Sequence, residues 1–326
     1  MKVRRKRRSL IKHVRDLMVA LFALLGMTFC LNSFAQNIDE LKFVHISDVH
    51  YSDVLDNTPY KLRKHSPELF DDAIEQINNI SGLSFVMFGG DLVDKAKEDE
   101  LIGFLGHAKN IKAPWYFTFG NHDSMLGGYL TPQRYLADVK KFNSDFKFDK
   151  PYYAFTPKAG YRVIVLDSII RDRLTSNGQI SKEQLEWLDG ELQSAQKQVV
   201  LIFLHVPIQE PIAEPNHRLL NSIEVMDVIG KYRNPIAVFQ GHYHVTRVKQ
   251  MNNLLFVSTP SLASYPNAFR EIKIINDDDK VIFDIKTIDT RLTNLRNQAK
   301  LFIVTPSIPE GEEADKNGIY VIVKKK

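Results

Sequence analysis

Leu41-Lys42-Phe43-Val44-His45-Ile46-Ser47-Asp48-Val49-His50 is the stretch on which the fold turns. Four of its first six residues are apolar, three of them β-branched or aromatic, as in a buried strand, and oxygen and nitrogen donors follow where the strand gives way to a loop. The arrangement recurs along the chain. Apolar runs at residues 85–88, 115–119, 161–166, 199–204 and 236–239 read as further buried strands. Between the runs, residues 67–80, 99–109, 132–142, 181–196 and 221–232 carry helix signals. The clearest is 181–196, where Ser181 and Gln184 form a possible capping box ahead of Leu185, Leu188 and Leu192. Strands alternating with helices predict an α/β protein.

After residue 250 the pattern changes to strands without intervening helices, at 254–258, 271–275 and 281–288. Turn residues such as Asn276-Asp277-Asp278-Asp279 part them, which suggests a mixed sheet closing one domain over residues 36–290. Residues 291–326 read as a β-rich extension, with a Pro/Glu/Gly-rich loop at 306–313 between β-like runs at 301–304 and 319–323.

The first 35 residues differ from the rest. A basic head, Met1-Lys2-Val3-Arg4-Arg5-Lys6-Arg7-Arg8, precedes an apolar run over 17–31, and Ser33-Phe34-Ala35 supplies small residues for cleavage before Gln36. This predicts a signal peptide and an exported protein, periplasmic or secreted, with no stable membrane insertion after cleavage. The alternative is an anchor formed by the same segment uncleaved. Met27-Thr28-Phe29 before Cys30 matches a lipoprotein signal poorly.

The leader holds eight of the 43 Lys and Arg and one of the 39 acids, so the remainder carries 35 basic and 38 acidic residues, a net −3. No surplus of cations is left to neutralise a phosphate backbone, and no nucleic-acid polymer is expected as a partner. The only cysteine, Cys30, lies in the leader. The mature chain therefore has no disulfide, and any metal must be held by nitrogen and oxygen.

Five strand ends carry such donors. They are Asp48-Val49-His50, Gly89-Gly90-Asp91-Leu92-Val93-Asp94, Gly120-Asn121-His122-Asp123, His205-Val206-Pro207 and Gly241-His242-Tyr243-His244. In extended backbone, Asp48 and His50, or His242 and His244, would share a face and offer two donors to one ion. Gly90 lets the chain approach a ligand closely, leaving both oxygens of Asp91 free to bridge two cations. Asn121 offers a neutral carbonyl oxygen, and His122 a nitrogen able to donate a proton near neutral pH. Alone, each segment also fits a bland role: a solvated turn for Asp48 and His50, a Gly-Asp turn, a half-exposed turn histidine, or a hydrogen-bonded core residue for His205. Together, Asp48, His50, Asp91, Asn121, His205, His242 and His244 make seven donors at strand ends, where α/β folds gather their functional groups.

The ordered set resembles the calcineurin-like metallophosphoesterase superfamily over roughly residues 41–290. The resemblance implies two packed mixed β-sheets flanked by helices, an α-β-β-α sandwich with the metals at one edge. It implies two divalent or trivalent ions of manganese, iron or zinc, one on Asp48, His50, Asp91 and His244, the other on Asp91, Asn121, His205 and His242. It further implies hydrolysis of a small phosphate-ester substrate, with His122 off the metals serving the departing oxygen and Asp94 orienting that imidazole; Asp94 could instead cap a helix. Asp94 stands where a purple acid phosphatase carries tyrosine, so that subgroup fits badly. The motifs resemble the cyclic-nucleotide phosphodiesterase subgroup without fixing a substrate. A protein phosphatase or a noncatalytic metal-binding scaffold are the alternatives.

The remaining conspicuous residues are expected to be structural. His45, Trp115 and Trp187 belong to the core, while His65, His107 and His217 lie at the surface, His217 near enough to reach substrate. Tyr51 and Tyr243, beside the donors, are candidates to stack on a substrate group.

Overall fold

A computed structural model of the chain describes residues 39–124 and 127–324. The leader expected at 1–35 lies outside the described residues. In chain order the strands are β1 (Asp39–Ile46), β2 (Phe85–Phe88), β3 (Trp115–Phe117), β4 (Tyr153–Phe155), β5 (Tyr161–Val165) and β6 (Val199–Leu204), then β7 (Ile236–Gln240), β8 (Arg247–Met251), β9 (Leu254–Ser258), β10 (Ala268–Asn276), β11 (Lys280–Asp289) and β12 (Asn317–Val323). They form two six-stranded mixed sheets, ordered β12-β11-β10-β1-β2-β3 and β4-β5-β6-β7-β9-β8. β1, β2 and β3 run parallel, as do β5, β6, β7 and β9, so each sheet presents a set of carboxyl ends.

Aromatic rings join the sheets face to face. Phe43 and Phe85 of the first stack at 4.9 Å, Phe203 and Phe239 of the second stack at 4.9 Å, and Phe43 meets Phe239 edge-on at 5.1 Å. All four are buried. At roughly 1.5–3 kcal/mol for burying each such ring, this layer is a main source of cohesion between the sheets. Three residues beyond Phe85, Phe88 points to the opposite face, as strand alternation requires. There it meets Phe70 of α1 (Ser66–Asn78) at 5.8 Å and Phe104 of α2 (Glu98–Ala108) at 5.2 Å. Helix α3 (Pro132–Phe142) packs on α2. On the other side α4 (Lys182–Ser194) packs on α5 (Ser222–Ile229) and is tied to β5 by Arg162, whose Nε donates to Glu191 at 2.9 Å. The α/β sandwich of two mixed sheets flanked by helices is thus as the sequence predicted.

Several local expectations need correction. Ser181 accepts from Gln184 N at 3.2 Å, but Gln184 does not return the bond: its amide donates to Asp167 O and accepts from Asp167 N, both at 2.9 Å, so half of the capping box is spent on anchoring the loop after β5. Residues 301–304 are not a strand. Leu301 ends helix α6 (Thr293–Leu301), and Leu301 and Val304 are exposed, because a four-residue apolar run has no periodicity to separate strand from helix end. The expected 306–313 loop folds as helix α7 (Ser307–Glu310) and the start of α8 (Glu313–Lys316). Helix α8 is capped reciprocally by Glu312 and Asp315. Among its described residues the extension is therefore three short helices and one strand, β12, which pairs antiparallel with β11. It belongs to the same compact unit as the rest, Glu40–Lys326. Among the described residues no helix is long and apolar enough to cross a membrane.

Candidate metal centre

The loops that leave β1, β2, β3, β6 and β7 meet at the shared edge of the two sheets. Asp48 (φ 54°), His50 (44°), Asp91 (52°), His242 (72°) and His244 (56°) all adopt the left-handed region. The donor pairs are therefore not extended, as the sequence suggested, but sharply turned; Asp and His tolerate this conformation better than most residues. Each such turn costs on the order of 1–3 kcal/mol, which surrounding contacts must hold. Here the loops are laced together: Asp48 N donates to Gly90 O at 3.0 Å, His50 N to Asp91 O at 2.9 Å, and Gly241 N to His205 O at 3.1 Å. Glycine is required where they press closest. A Cβ on Gly120 would collide with Asp91 N and Oδ1, and one on Gly90 (φ 91°) would lie 2.5 Å from His205 Nδ1.

Asp123, the last residue of the Gly120-Asn121-His122-Asp123 motif, clamps two of these loops. Its carboxylate accepts from Gly120 N (2.7 Å), Leu92 N (2.8 Å), Val93 N (3.1 Å) and the Tyr135 hydroxyl (3.2 Å). Burial and the nearby charge of Asp91 push its pKa up to about 7 in spite of those donors.

Three overlapping donor groups result. Asp48, His50 and His244 form one, Asp91, His205 and His242 a second, and His50, Asp91 and His122 a third that bridges them. Asp48 Oδ2 is occupied by Ser47 Oγ (2.6 Å) and His242 N (3.1 Å), leaving Oδ1 to face His244 Nε2 at 3.1 Å. Asp91 lies between the groups, with Oδ2 3.6 Å from His50 Nε2 and 3.3 Å from His205 Nε2. Its Oδ1 is not free, as had been expected, because it accepts from His122 N at 2.8 Å. Asp91 would therefore be the residue common to both sites, with Oδ2 the oxygen turned toward the imidazoles. His205 Nδ1 donates to Gly89 O at 2.7 Å and His244 Nδ1 meets Ser264 Oγ at 3.1 Å, so the opposite nitrogens are turned toward the carboxylates.

The residues fit a metal on three counts. Asn121 Oδ1 and His242 Nε2 are buried without a hydrogen-bond partner, a cost of roughly 1–3 kcal/mol each if nothing binds them. Burial, aided by Lys61 at His50 and by His205 at His242, holds the His50 and His242 rings well below the usual histidine pKa, in the neutral form that ligates. Burial opposes charge on His205 as well, yet Asp91 and Asp48 raise its pKa to about 9. Carboxylates gathered on these imidazoles call for positive charge, which a divalent cation supplies directly. The all nitrogen and oxygen set suits manganese, iron or zinc.

His122 stands at the mouth of this cluster. Its Nδ1 donates to the backbone oxygen of Asp94 at 2.5 Å, since a carbonyl can only accept. The expected carboxylate partnership is thus replaced by a main-chain one. The Asp94 side chain lies instead 3.1 Å from Arg63 Nη1, 3.5 Å from His50 Nδ1 and 3.7 Å from Lys61 Nζ. Nor does it cap a helix, because α2 begins after Lys97. Lys61 was not singled out from the sequence at all. Its Nζ lies 3.3 Å from His122 Nε2 and from His50 Nδ1. Burial lowers its pKa against the pull of Asp91 and Asp94.

A cleft of about 410 Å³ opens over the cluster, lined among others by Tyr60, Lys61, Asn121, His122, His217 and Tyr243. His217 lies here, its ring 5.1 Å from that of His242. Tyr51 does not line the cleft; it is buried against Gly103 and the His107 ring. His45 is a buried core residue, with Nδ1 2.6 Å from Thr259 Oγ1.

A profile of the calcineurin-like phosphoesterase family matches residues 41–246. The chain belongs to this family. Among its relatives, the manganese-dependent ADP-ribose/CDP-alcohol diphosphatase of Oryza sativa subsp. japonica is 26% identical over 249 residues, covering 61% of this chain and 76% of that protein. A 3′,5′-cyclic adenosine monophosphate phosphodiesterase of Haemophilus influenzae is 22% identical over 225 residues, covering 68% and 76%. The same fold is seen in a dimetal phosphatase from Danio rerio, with TM-score 0.61, 18% identity, and coverage of 77% of this chain and 99% of that one. This calcineurin-like phosphoesterase is a metal-dependent enzyme, and the donor groups are its candidate divalent-metal site.

Proposed function

We propose that the enzyme holds two divalent cations and hydrolyses small phosphate esters or anhydrides outside the cytoplasm. One cation would rest on Asp48, His50, Asp91 and His244, the other on Asp91, Asn121, His205 and His242. The observation that carries this reading is Asp91 Oδ2, set between an imidazole of each group at 3.6 and 3.3 Å. Bound there, the cations supply charge to the phosphoryl oxygens and activate water.

The chain's own residues do the rest. His122 is oriented by the Asp94 carbonyl, which fixes the proton at Nδ1 and leaves Nε2 toward the cleft. A second proton, carried at Nε2, can pass to a departing oxygen. Tyr243 and His217 offer ring faces along the wall, apt for a base or sugar. The relatives act on ADP-ribose, CDP-alcohols and cyclic nucleotides by name, which suits a small nucleotide-like substrate.

Metal-stripped protein resupplied with manganese, zinc or iron should turn over bis(p-nitrophenyl) phosphate or p-nitrophenyl phosphate. No hydrolysis with any metal contradicts the reading. For export, protein recovered outside the cytoplasm should begin at Gln36; full-length chain retained in membranes would indicate the anchor instead.

A further inference from the structure

Lys61 is a cation almost withdrawn from water, yet one that lines the cleft. It is held there by its own turn. Thr58 N donates to Lys61 O at 3.0 Å, Lys61 N donates to Thr58 Oγ1 at 3.0 Å, and the next residue, the buried Leu62, donates to Ala263 O at 2.8 Å. The ammonium is more than a counter-ion for Asp94, because Arg63 already meets that carboxylate at 3.1 Å while Lys61 stays at 3.7 Å. Its hydrogen-bonding capacity is also incompletely used. His50 Nδ1 lies 3.3 Å from the lysine and 3.5 Å from Asp94 Oδ1, and in either tautomer it takes at most one of the lysine's three N–H groups. His122 Nε2 can accept one more N–H at 3.3 Å while it carries no proton of its own, and none when it does. At least one further donor remains for whatever enters the cleft beside His122.

We propose that Lys61 seats a second, anionic phosphate on the leaving-group side of the cleft, fitting the site to diphosphate-linked substrates over esters that release an alcohol. This rests on the hydrolytic reading above and adds the substrate class. In such a hydrolysis the water oxygen forms the new bond to phosphorus and the bridging P–O bond breaks. Its electron pair stays on the leaving phosphate, and the water's two protons go to the medium as both monoesters ionise. A phosphate monoester has a second pKa near 6, so the leaving group needs no proton near neutrality. It needs a cation, which Lys61 provides. An alcohol leaving group needs the proton instead, and that falls to His122.

The test compares ADP-ribose with 3′,5′-cyclic adenosine monophosphate, which share a nucleoside and differ in leaving group. In Lys61→Gln, kcat/KM for ADP-ribose should fall roughly 10- to 100-fold, the range for a lost charge-assisted hydrogen bond, and by about tenfold more than that for the cyclic nucleotide, whose fall reads only the lysine's contacts with His122 and His50. Metal content should be unchanged, and Lys61→Arg should recover most of the loss. Independently of turnover, calorimetry should show wild type binding adenosine 5′-(α,β-methylene)diphosphate about tenfold more tightly than adenosine monophosphate, an excess that Lys61→Gln removes. An equal fall for both substrates overturns the assignment, as does equal affinity of wild type for the two nucleotides. The second result needs no folded variant. Wild type that hydrolyses the cyclic nucleotide but not ADP-ribose also overturns it while leaving the hydrolytic reading intact; wild type that hydrolyses neither with any metal sinks that reading itself.

Discussion

Phe203 and His205 are two residues apart, yet they stand in different physical worlds. Phe203 lies in regular strand, stacked on Phe239 with no polar atom to satisfy. One step beyond the strand, His205 is equally buried but is surrounded by carboxylates, left-handed turns and donors without partners. Phe43 on β1 and Asp48, two residues beyond its end, repeat the contrast across the sandwich. The aromatic layer is relaxed and self-sufficient, whereas the edge is strained and calls for a ligand. The first holds the second in place, because the strands that carry the rings also fix where the loops begin. The stability of one region underwrites the conformational cost of the other.

Weakening the layer tests that dependence most severely. Phe203→Ala should cost about 3–5 kcal/mol in chemical denaturation, while the fraction still folded retains its metal. Loss of metal at full folding would mean that the layer also tunes the site. Asp94→Ala probes the boundary between the regions. It removes the carboxylate beside His50 but leaves the carbonyl that orients His122, so metal affinity or activity should fall roughly 10- to 100-fold, the range for a lost outer partner of a metal ligand. An effect as large as that of removing His122 would show that the carboxylate serves that ring after all. The smallest effect concerns His45, neutral in the fold with its pKa lowered to about 3, by burial first and then by Arg270. Its folded pKa lies below the unfolded value near 6.5, so the stability it contributes is complete above pH 6.5 and is lost as the pH falls toward 3. His45→Gln should therefore flatten the decline in melting temperature below pH 6.5; an unchanged slope would mean other groups carry it.

The fold was largely legible because buried strands are short apolar runs, and these ended in donors. β8 escaped notice because it is a polar edge strand, Arg247-Val248-Lys249-Gln250-Met251, whose hairpin turn at Asn252 was the available cue. β4, only three residues long, offered too little pattern. All seven expected donors meet at one edge, but their backbone did not follow from alternation, since left-handed turns leave no signature beyond the tolerance of Asp and His for them. Lys61 was hidden for a different reason. It sits in Asn57-Thr58-Pro59-Tyr60, continued by Lys61-Leu62-Arg63, where only the proline-led turn announces structure and nothing announces a neighbour 61 residues away. Asp94 was noticed and given the wrong atom, because sequence cannot tell a side-chain contact from a main-chain one.

Elemental analysis of purified wild type, Asp91→Ala and His122→Ala, run beside phosphoester turnover, tests the central claim most directly. Wild type should carry two metal ions per chain. Asp91→Ala should lose metal and activity together, and His122→Ala should keep its metal while turnover slows by roughly 10²- to 10⁴-fold. Equal metal loss in both variants, or full activity in Asp91→Ala, would contradict the division between residues that hold the cations and the one that serves the departing oxygen.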